Sequence, residues 1–140
     1  MRIAIYCRVA TADQLALDMQ EARLREYCIS RGYEIVAIVR EFYPGLTLDR
    51  PGIHTLNSLA EDHRIDGVLA TDYSRIARRP ADLMDFYDGL REKGVDCRIA
   101  NKEEAFQDLP SVSDLLNNDE LFLAFGRFWR KNQGGRKHER

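Results

Sequence analysis

The stretch RIAIYCRV, residues 2–9, is rich in apolar and β-branched side chains and predicts a buried first strand. Apolar residues then recur at roughly helical spacing over 14–31, and Gly32 marks the end of that helix. A second strand is predicted over 33–42. A strand, a helix and a strand in this order favour two parallel strands joined by a crossover helix.

The same alternation continues along the chain. Segment 43–52 carries prolines and glycines and predicts a loop, with Pro51 as the first residue of the next helix. A third strand is predicted over 64–72, a helix over 80–93 and a fourth strand over 95–100. The expected fold is α/β, with a mostly parallel four- to five-stranded sheet and helices on both faces.

Composition narrows the class of protein. The chain has 140 residues, the size of one globular domain, and its formal charge of −2 does not by itself indicate a nucleic-acid binder. No apolar run reaches about 18 residues, so no membrane span is expected. The three cysteines are far apart and predict reduced thiols of a cytoplasmic protein. The three histidines are scattered, so no metal site is expected.

Polar and functional positions stand where the predicted strands end. Arg8 and Ala10 close the first strand, Glu41 closes the second, and segment 72–78 follows the third. In a parallel sheet the carboxyl ends of the strands meet at one edge, where ligands bind. These positions are therefore expected to converge.

Arginines dominate this predicted edge, where Arg8, Arg50, Arg75 and Arg78 occupy strand ends or loops. A guanidinium group offers a rigid fork of donors that fits a phosphate. Arg75 and Arg78 would reach one anion if their turn is helical. Asp72 either orients an arginine or caps that turn. The set predicts a phosphate site.

Several motifs resemble the serine recombinases of the resolvase and invertase group. YCRVATADQ at 6–14 is similar to the family's Tyr-x-Arg-Val-Ser-Thr-x-x-Gln signature. LTLDRPG at 46–52 resembles its Asp-Arg-(Pro/Lys)-Gly segment, and VLATDYSRIARRPADL at 68–83 its segment with two arginines three apart. More loosely, FLAFGRFWRKNQGGR at 122–136 resembles the start of its long dimerisation helix. The resemblance covers nearly the whole chain.

The resemblance implies a role for each matching residue. Arg8, Arg75 and Arg78 would bind the scissile DNA phosphate, and Arg50 would be a further activating, phosphate-binding arginine. Gln14 matches the glutamine that supports the site. The resemblance further implies DNA as partner, a homodimer or a tetramer as the assembly, and neither a membrane nor a small-molecule cofactor.

Three positions depart from the family pattern. Glu41 falls where the family usually has an aspartate, and Ser74 where many members have one. The family nucleophile is a serine that forms a 5′-phosphoserine link, and Ala10 occupies its position. A methyl group cannot attack phosphorus, and losing a nucleophile removes on the order of a millionfold in rate.

Two neighbours of Ala10 are poor substitutes for the missing hydroxyl. Cys7 is expected to face away from Arg8 into the core, because side chains alternate along a strand. Thr11 is expected to point away from the pocket. Ala10 is therefore either an engineered replacement of a serine or a feature of a natural relative that kept the pocket and lost the chemistry.

The last part of the chain predicts contacts beyond the domain. Residues 1–112 are expected to form the resolvase-like catalytic domain, 113–132 an interface helix and 133–140 a basic tail. The aromatic residues of 113–132 predict either a partner surface or packing on the chain's own sheet. The tail either contacts phosphates or is a solvated terminus. The chain ends at Arg140, which is expected to leave no room for the family's DNA-reading domain.

The sequence therefore predicts a site-specific DNA recombinase domain that is inactive as written. The alternative is a nucleophile-free DNA-binding or regulatory partner of an active recombinase. A third hypothesis, a pocket for a nucleotide or phosphorylated metabolite, lacks both common glycine-rich phosphate motifs.

Overall fold

A computed structural model describes residues 1–100 and the short strand Gln107–Asp108. The eight helices and strands of this part of the chain are, in order, β1 Arg2–Val9, α1 Gln14–Arg31, β2 Glu34–Phe42, α2 Pro51–Glu61, β3 Gly67–Ala70, α3 Pro80–Glu92, β4 Asp96–Ile99 and β5 Gln107–Asp108. A single 3-10 turn, Tyr73–Arg75, lies between β3 and α3.

The strands form one sheet in the order β2-β1-β3-β4-β5. β1 pairs in parallel with both β2 and β3, β3 pairs in parallel with β4, and β5 runs antiparallel to β4. The predicted mostly parallel sheet is confirmed. The chain moves to one side of β1 with β2 and to the other with β3, so the strand order reverses there. Open α/β sheets bind ligands at the carboxyl ends of the strands at such a reversal.

Alternation along β1 divides the core into two layers. Ile3, Ile5 and Cys7 pack with the buried face of α1 on one side of the sheet. Ala4 and Tyr6 pack with the buried residues of α2 and α3 on the other. Helices on both faces are therefore confirmed, and burial raises the pKa of Cys7 to about 12. The Cys7 thiol is thus a core group, as the alternation predicted.

Local sequence signals explain where the helices begin and end. The Asp13 carboxylate accepts a hydrogen bond from the amide of Ala16 at the start of α1. Gly32 ends that helix with a φ of 70°, a left-handed conformation that glycine adopts without a steric penalty. α2 and α3 each begin with a proline, which needs no hydrogen-bond acceptor in a first turn.

The third strand differs from the prediction, and the predicted C-terminal division is not tested. The third strand covers Gly67–Ala70 and is shorter than the predicted 64–72, because Asp66 binds Arg2 and the chain turns after Ala70. The predicted division at residue 112, helix over 113–132 and tail over 133–140 lie outside the described residues. Within the described residues, no helix has the length and apolar character needed to cross a membrane.

Candidate functional site

Arg8, the last arginine of β1, joins three segments at the carboxyl edge of the sheet. Its guanidinium donates from Nε to the Arg75 carbonyl at 2.8 Å and from the second terminal nitrogen to the Ser74 carbonyl at 2.6 Å. The first terminal nitrogen donates to the Tyr43 carbonyl at 2.8 Å. Arg8 is only 5% exposed. The loops after β2 and β3 are therefore tied to the end of β1 by one side chain.

Gly45 explains how the β2–α2 loop lies so close to Arg8. An added Cβ at Gly45 would stand 2.7 Å from a terminal nitrogen of Arg8 and 2.8 Å from its central guanidinium carbon. Both are too close for a real Cβ contact. Because glycine has no side chain, the loop covers the guanidinium directly.

Gln20 of α1 holds the backbone of Arg8 from the opposite face. Its side-chain oxygen accepts from the Arg8 amide at 3.1 Å, and its side-chain nitrogen donates to the Arg8 carbonyl at 3.1 Å. Sequence reasoning missed this residue. The available signal is that Gln20 stands between Leu17 and Leu24 on the buried face of α1, where a polar side chain needs partners.

Arg50, just before α2, is buried more completely than Arg8, at 1% exposed. Its Nε donates to the Tyr6 hydroxyl at 3.0 Å, and one terminal nitrogen donates to the Thr47 carbonyl at 2.7 Å. The other terminal nitrogen donates to the carbonyls of Arg75, at 3.1 Å, and Ile76. Arg8 and Arg50 thus share the Arg75 carbonyl as an acceptor.

Glu41, at the end of β2, anchors Arg50. Its carboxylate accepts from the Tyr6 hydroxyl at 2.6 Å and from the Gly52 amide at 2.9 Å, and lies 3.5 Å from Arg50 Nε. An added Cβ at Gly52 would stand 2.2 Å from a Glu41 oxygen. Burial is the main cause that raises the pKa of Tyr6 well above its ordinary value, so its hydroxyl keeps its proton and donates.

Arg75 and Arg78 are half-buried, nearer to solvent than Arg8 and Arg50. Arg75 donates to the Arg8 carbonyl at 3.2 Å, and its Nε lies 3.5 Å from an Asp72 oxygen. The Ser74 hydroxyl donates to the other Asp72 oxygen at 2.5 Å. Asp72 therefore contacts an arginine, one of the two roles left open for it. The helical turn ends at Arg75, so Arg78 lies beyond it.

Positive charge gathers at this edge of the sheet. The charges of Arg50, Arg75 and Arg78 all act on Arg8, while Glu41 lies in ion-pair contact with Arg50 and Asp72 with Arg75. Burial, and after it the charge of Arg50, lowers the pKa of Arg8 to about 10. Carbonyl oxygens satisfy the donors without cancelling the charge. The cluster is therefore suited to an anion.

The remaining predicted residues lie around this cluster. Ala10 is exposed, two residues beyond Arg8, and Thr11 beside it is exposed as well. Gln14 is exposed on the first turn of α1, where its side chain donates to Asp18 at 3.1 Å. The structure thus pairs Gln14 with its own helix. Glu41, Ser74 and the arginines converge as the strand order predicted.

The fold and the arginine cluster define a class of protein: a small α/β domain with an anion site where the strand order reverses. Comparison with known proteins gives its family. Residues 3–126 match the family model "Resolvase, N terminal domain". The chain belongs to the resolvase family, and the resemblance to serine recombinases is confirmed. A protein of Bacillus subtilis named "Putative DNA recombinase" is 28% identical over 105 residues, which are 74% of this chain. The aligned region spans 21% of that relative, so the chain matches about a fifth of its length.

Solved structures agree with this family. The C-terminal catalytic domain of ISC1926 TnpA, an IS607-like serine recombinase, is 26% identical with a TM-score of 0.67, over 99% of this chain and 89% of that one. The N-terminal catalytic domain of TP901-1 integrase is 24% identical with a TM-score of 0.74, over 95% and 99%. A resolvase family site-specific recombinase from Streptococcus pneumoniae is 18% identical with a TM-score of 0.69, over 96% and 95%. The last two show the fold.

Proposed function

We propose that this domain binds the phosphodiester backbone of DNA as a serine recombinase domain that does not cleave DNA through residue 10. The convergence of Arg8, Arg50, Arg75 and Arg78 at the carboxyl edge of a resolvase-family sheet carries the proposal. Phosphoryl-transfer sites depend on positioned cations around the phosphate, which this cluster supplies.

Arg75 and Arg78 are the first candidates for the phosphate contacts, because they are the more exposed arginines of the cluster. Arg8 lies beneath them and would join after exchanging the Tyr43 or Ser74 carbonyl for a phosphate oxygen. The phosphate contacts of Arg75 and Arg78 and that of Arg8 are all charge-assisted, so the affinity for DNA is expected to fall as the salt concentration rises.

Ala10 is compatible with both functions that the sequence left open. A recombinase domain that has lost only its nucleophile retains the phosphate pocket, whereas a binding partner needs no working chemistry. Among its relatives, the IS607-like neighbour supports a role in DNA recombination by mobile elements. As in the family pattern, a homodimer is the proposed assembly.

Ala10→Ser is the variant that tests the proposal. On duplex DNA carrying a nick, the serine variant is expected to form a covalent protein–DNA adduct, detected on a denaturing gel and located by mass spectrometry. Ala12→Ser is the matched control, since Ala12 is another exposed alanine on the same segment, and it should form no adduct.

Each outcome has a distinct meaning. An adduct at residue 10 alone identifies a recombinase domain that lacks its nucleophile. Salt-sensitive DNA binding without an adduct favours the binding or regulatory partner. The absence of DNA binding at low salt contradicts both.

A further inference from the structure

Arg50 differs from the other arginines of the cluster in what surrounds it. Its side chain has no exposed surface, and its donors reach a hydroxyl and three main-chain carbonyls. A phosphate could contact this guanidinium only by displacing one of these acceptors. Two of them, the Arg75 and Ile76 carbonyls, belong to the turn that carries Arg75 and to the residue after it, and displacing them would release that turn. The contacts of Arg50 therefore serve to hold the turn.

Two of the three carbonyls that accept from Arg50, those of Arg75 and Ile76, belong to consecutive peptide units. A peptide unit is planar, so fixing its carbonyl oxygen restricts the backbone on either side of it. Arg8, at the carboxyl end of β1, donates to the same Arg75 carbonyl. The main chain of Arg75 is thus held by two guanidinium groups, those of Arg8 and Arg50.

Tyr6 and Glu41 fix Arg50 in turn. The Glu41 carboxylate accepts from the Tyr6 hydroxyl and the Gly52 amide, and the same hydroxyl accepts from Arg50 Nε. The chain of contacts runs from the sheet through Tyr6 and Arg50 to the turn. All of its members except the turn carbonyls lie on β1, the end of β2 and the start of α2.

We propose that Arg50, held by Tyr6 and Glu41, is a positioning residue that sets the Arg75 turn for anion binding and does not itself touch the phosphate. The inference rests on the proposed DNA-phosphate function and assigns a different role to Arg50 from the one its motif suggests. A lysine in its place would keep the charge and lose the fork that reaches both carbonyls.

The test uses the salt dependence of DNA binding by the whole chain. The slope of log affinity against log salt falls by about 0.9 for each phosphate contact that is lost. Fluorescence anisotropy on a labelled duplex gives both the affinity and the slope. Arg75→Ala is the reference for a lost phosphate contact, and its slope should fall by about 0.9.

Arg50→Lys is expected to weaken binding by about tenfold, because Arg75 is no longer held in the geometry that fits the phosphate, and to leave the slope at its wild-type value, because no charge is removed. If Arg50 were a phosphate ligand, Arg50→Met would lower the slope by about 0.9, as Arg75→Ala does, whereas a positioning role predicts weaker binding of Arg50→Met at the wild-type slope. Arg64→Met is the control for charge alone, because Arg64 is exposed and precedes β3 at the opposite edge of the sheet. It should change neither quantity.

Tyr6→Phe gives a second, gentler variant, because it removes only the hydroxyl that holds Arg50 Nε. Weakened binding at an unchanged slope supports the inference, and wild-type affinity in a folded Tyr6→Phe protein overturns it. Retained affinity in Arg50→Lys overturns the inference alone, provided that Arg75→Ala lowers the slope. Failure of the wild-type chain to bind DNA overturns the proposed function together with the inference.

Discussion

Two groups of arginines in this domain meet opposite surroundings. The inner arginines, Arg8 and Arg50, are buried and donate mainly to main-chain carbonyls. The outer arginines, Arg2 and Arg40, are partly exposed and donate to carboxylates: Arg40 to Asp18 at 2.7 Å and Glu21 at 2.6 Å, and Arg2 to Asp66 at 3.0 Å.

Their pKa values move in opposite directions. Hydrogen bonds that they donate to carboxylates raise the pKa of Arg2 and Arg40, whereas burial and neighbouring arginines lower that of Arg8. A carboxylate satisfies a guanidinium and also cancels its charge, but a carbonyl satisfies it and leaves the charge in place. The same residue type therefore stabilises the surface in one region and prepares an anion site in the other.

The largest expected effect comes from removing an inner arginine. Arg8→Met should lower the free energy of unfolding by about 3 kcal/mol, because it strands the carbonyls of two loops at a partly buried edge. Arg40→Met should have a much smaller effect, because Asp18 and the half-buried Glu21 return to water. Urea unfolding of both variants measures the difference.

Equal losses in the two methionine variants would contradict this comparison. They would mean that the carbonyl contacts of Arg8 only offset the desolvation of its charge. A native-like circular dichroism spectrum in both proteins is the control that makes the unfolding free energies comparable.

Gly52 tests how tightly the inner group is packed. In Gly52→Ala the new methyl group meets the Glu41 carboxylate and the Tyr6 ring, so the free energy of unfolding should fall by about 2 kcal/mol. Gly89→Ala is the matched control on α3, where an added Cβ has nothing within 4 Å. It should raise the free energy by about 0.5–1 kcal/mol, because alanine favours a helix interior over glycine.

The prediction is that Gly52→Ala and Gly89→Ala change the free energy of unfolding in opposite directions. Opposite signs show that the Gly52 site has no room, and thermal unfolding gives both values under one condition. A stabilised Gly52→Ala protein would indicate that Glu41 moves away freely and does not hold Arg50.

Much of the fold was predictable because its signals are local. The apolar and β-branched composition of β1 and the helical spacing of α1 predicted both elements at their observed bounds, and Pro51 and Pro80 predicted where α2 and α3 begin. The convergence of Arg8, Glu41 and the segment after β3 follows from the strand order alone. The extent of β3 was not predictable, because a side-chain contact between Asp66 and Arg2 bounds it.

The inner workings of the site were less accessible to sequence reasoning. A motif shows that Arg50 belongs to the site, but only the packing of α2 on β1 shows that its guanidinium is enclosed. Gln20 was missed because its partner is a backbone strand end 12 residues away. Residue identity predicted the members of the cluster, and tertiary contacts determine which of them face solvent.

The smallest expected effect tests the outer group through pH. Hydrogen bonds from Arg2 lower the pKa of Asp66 from its ordinary 3.8 to about 2. Because the folded pKa is the lower one, the ionised carboxylate stabilises the fold above about pH 4, and this contribution is lost as the pH falls through about 2. Asp66→Asn should therefore show a flatter acid dependence of its unfolding free energy than wild type.

The Asp66 effect should be modest, since the Arg2 and Asp66 side chains are 43% and 41% exposed and solvent screens the pair. Urea unfolding at several pH values between about 5 and 2 gives the two curves. Parallel curves would show that the Arg2 contact does not depend on the charge of Asp66. Curves that converge as the pH falls would show that protonation of Asp66 removes the stabilisation by the Arg2 pair. The inner arginines donate mainly to carbonyls, which do not titrate, and their contacts are expected to persist over this pH range.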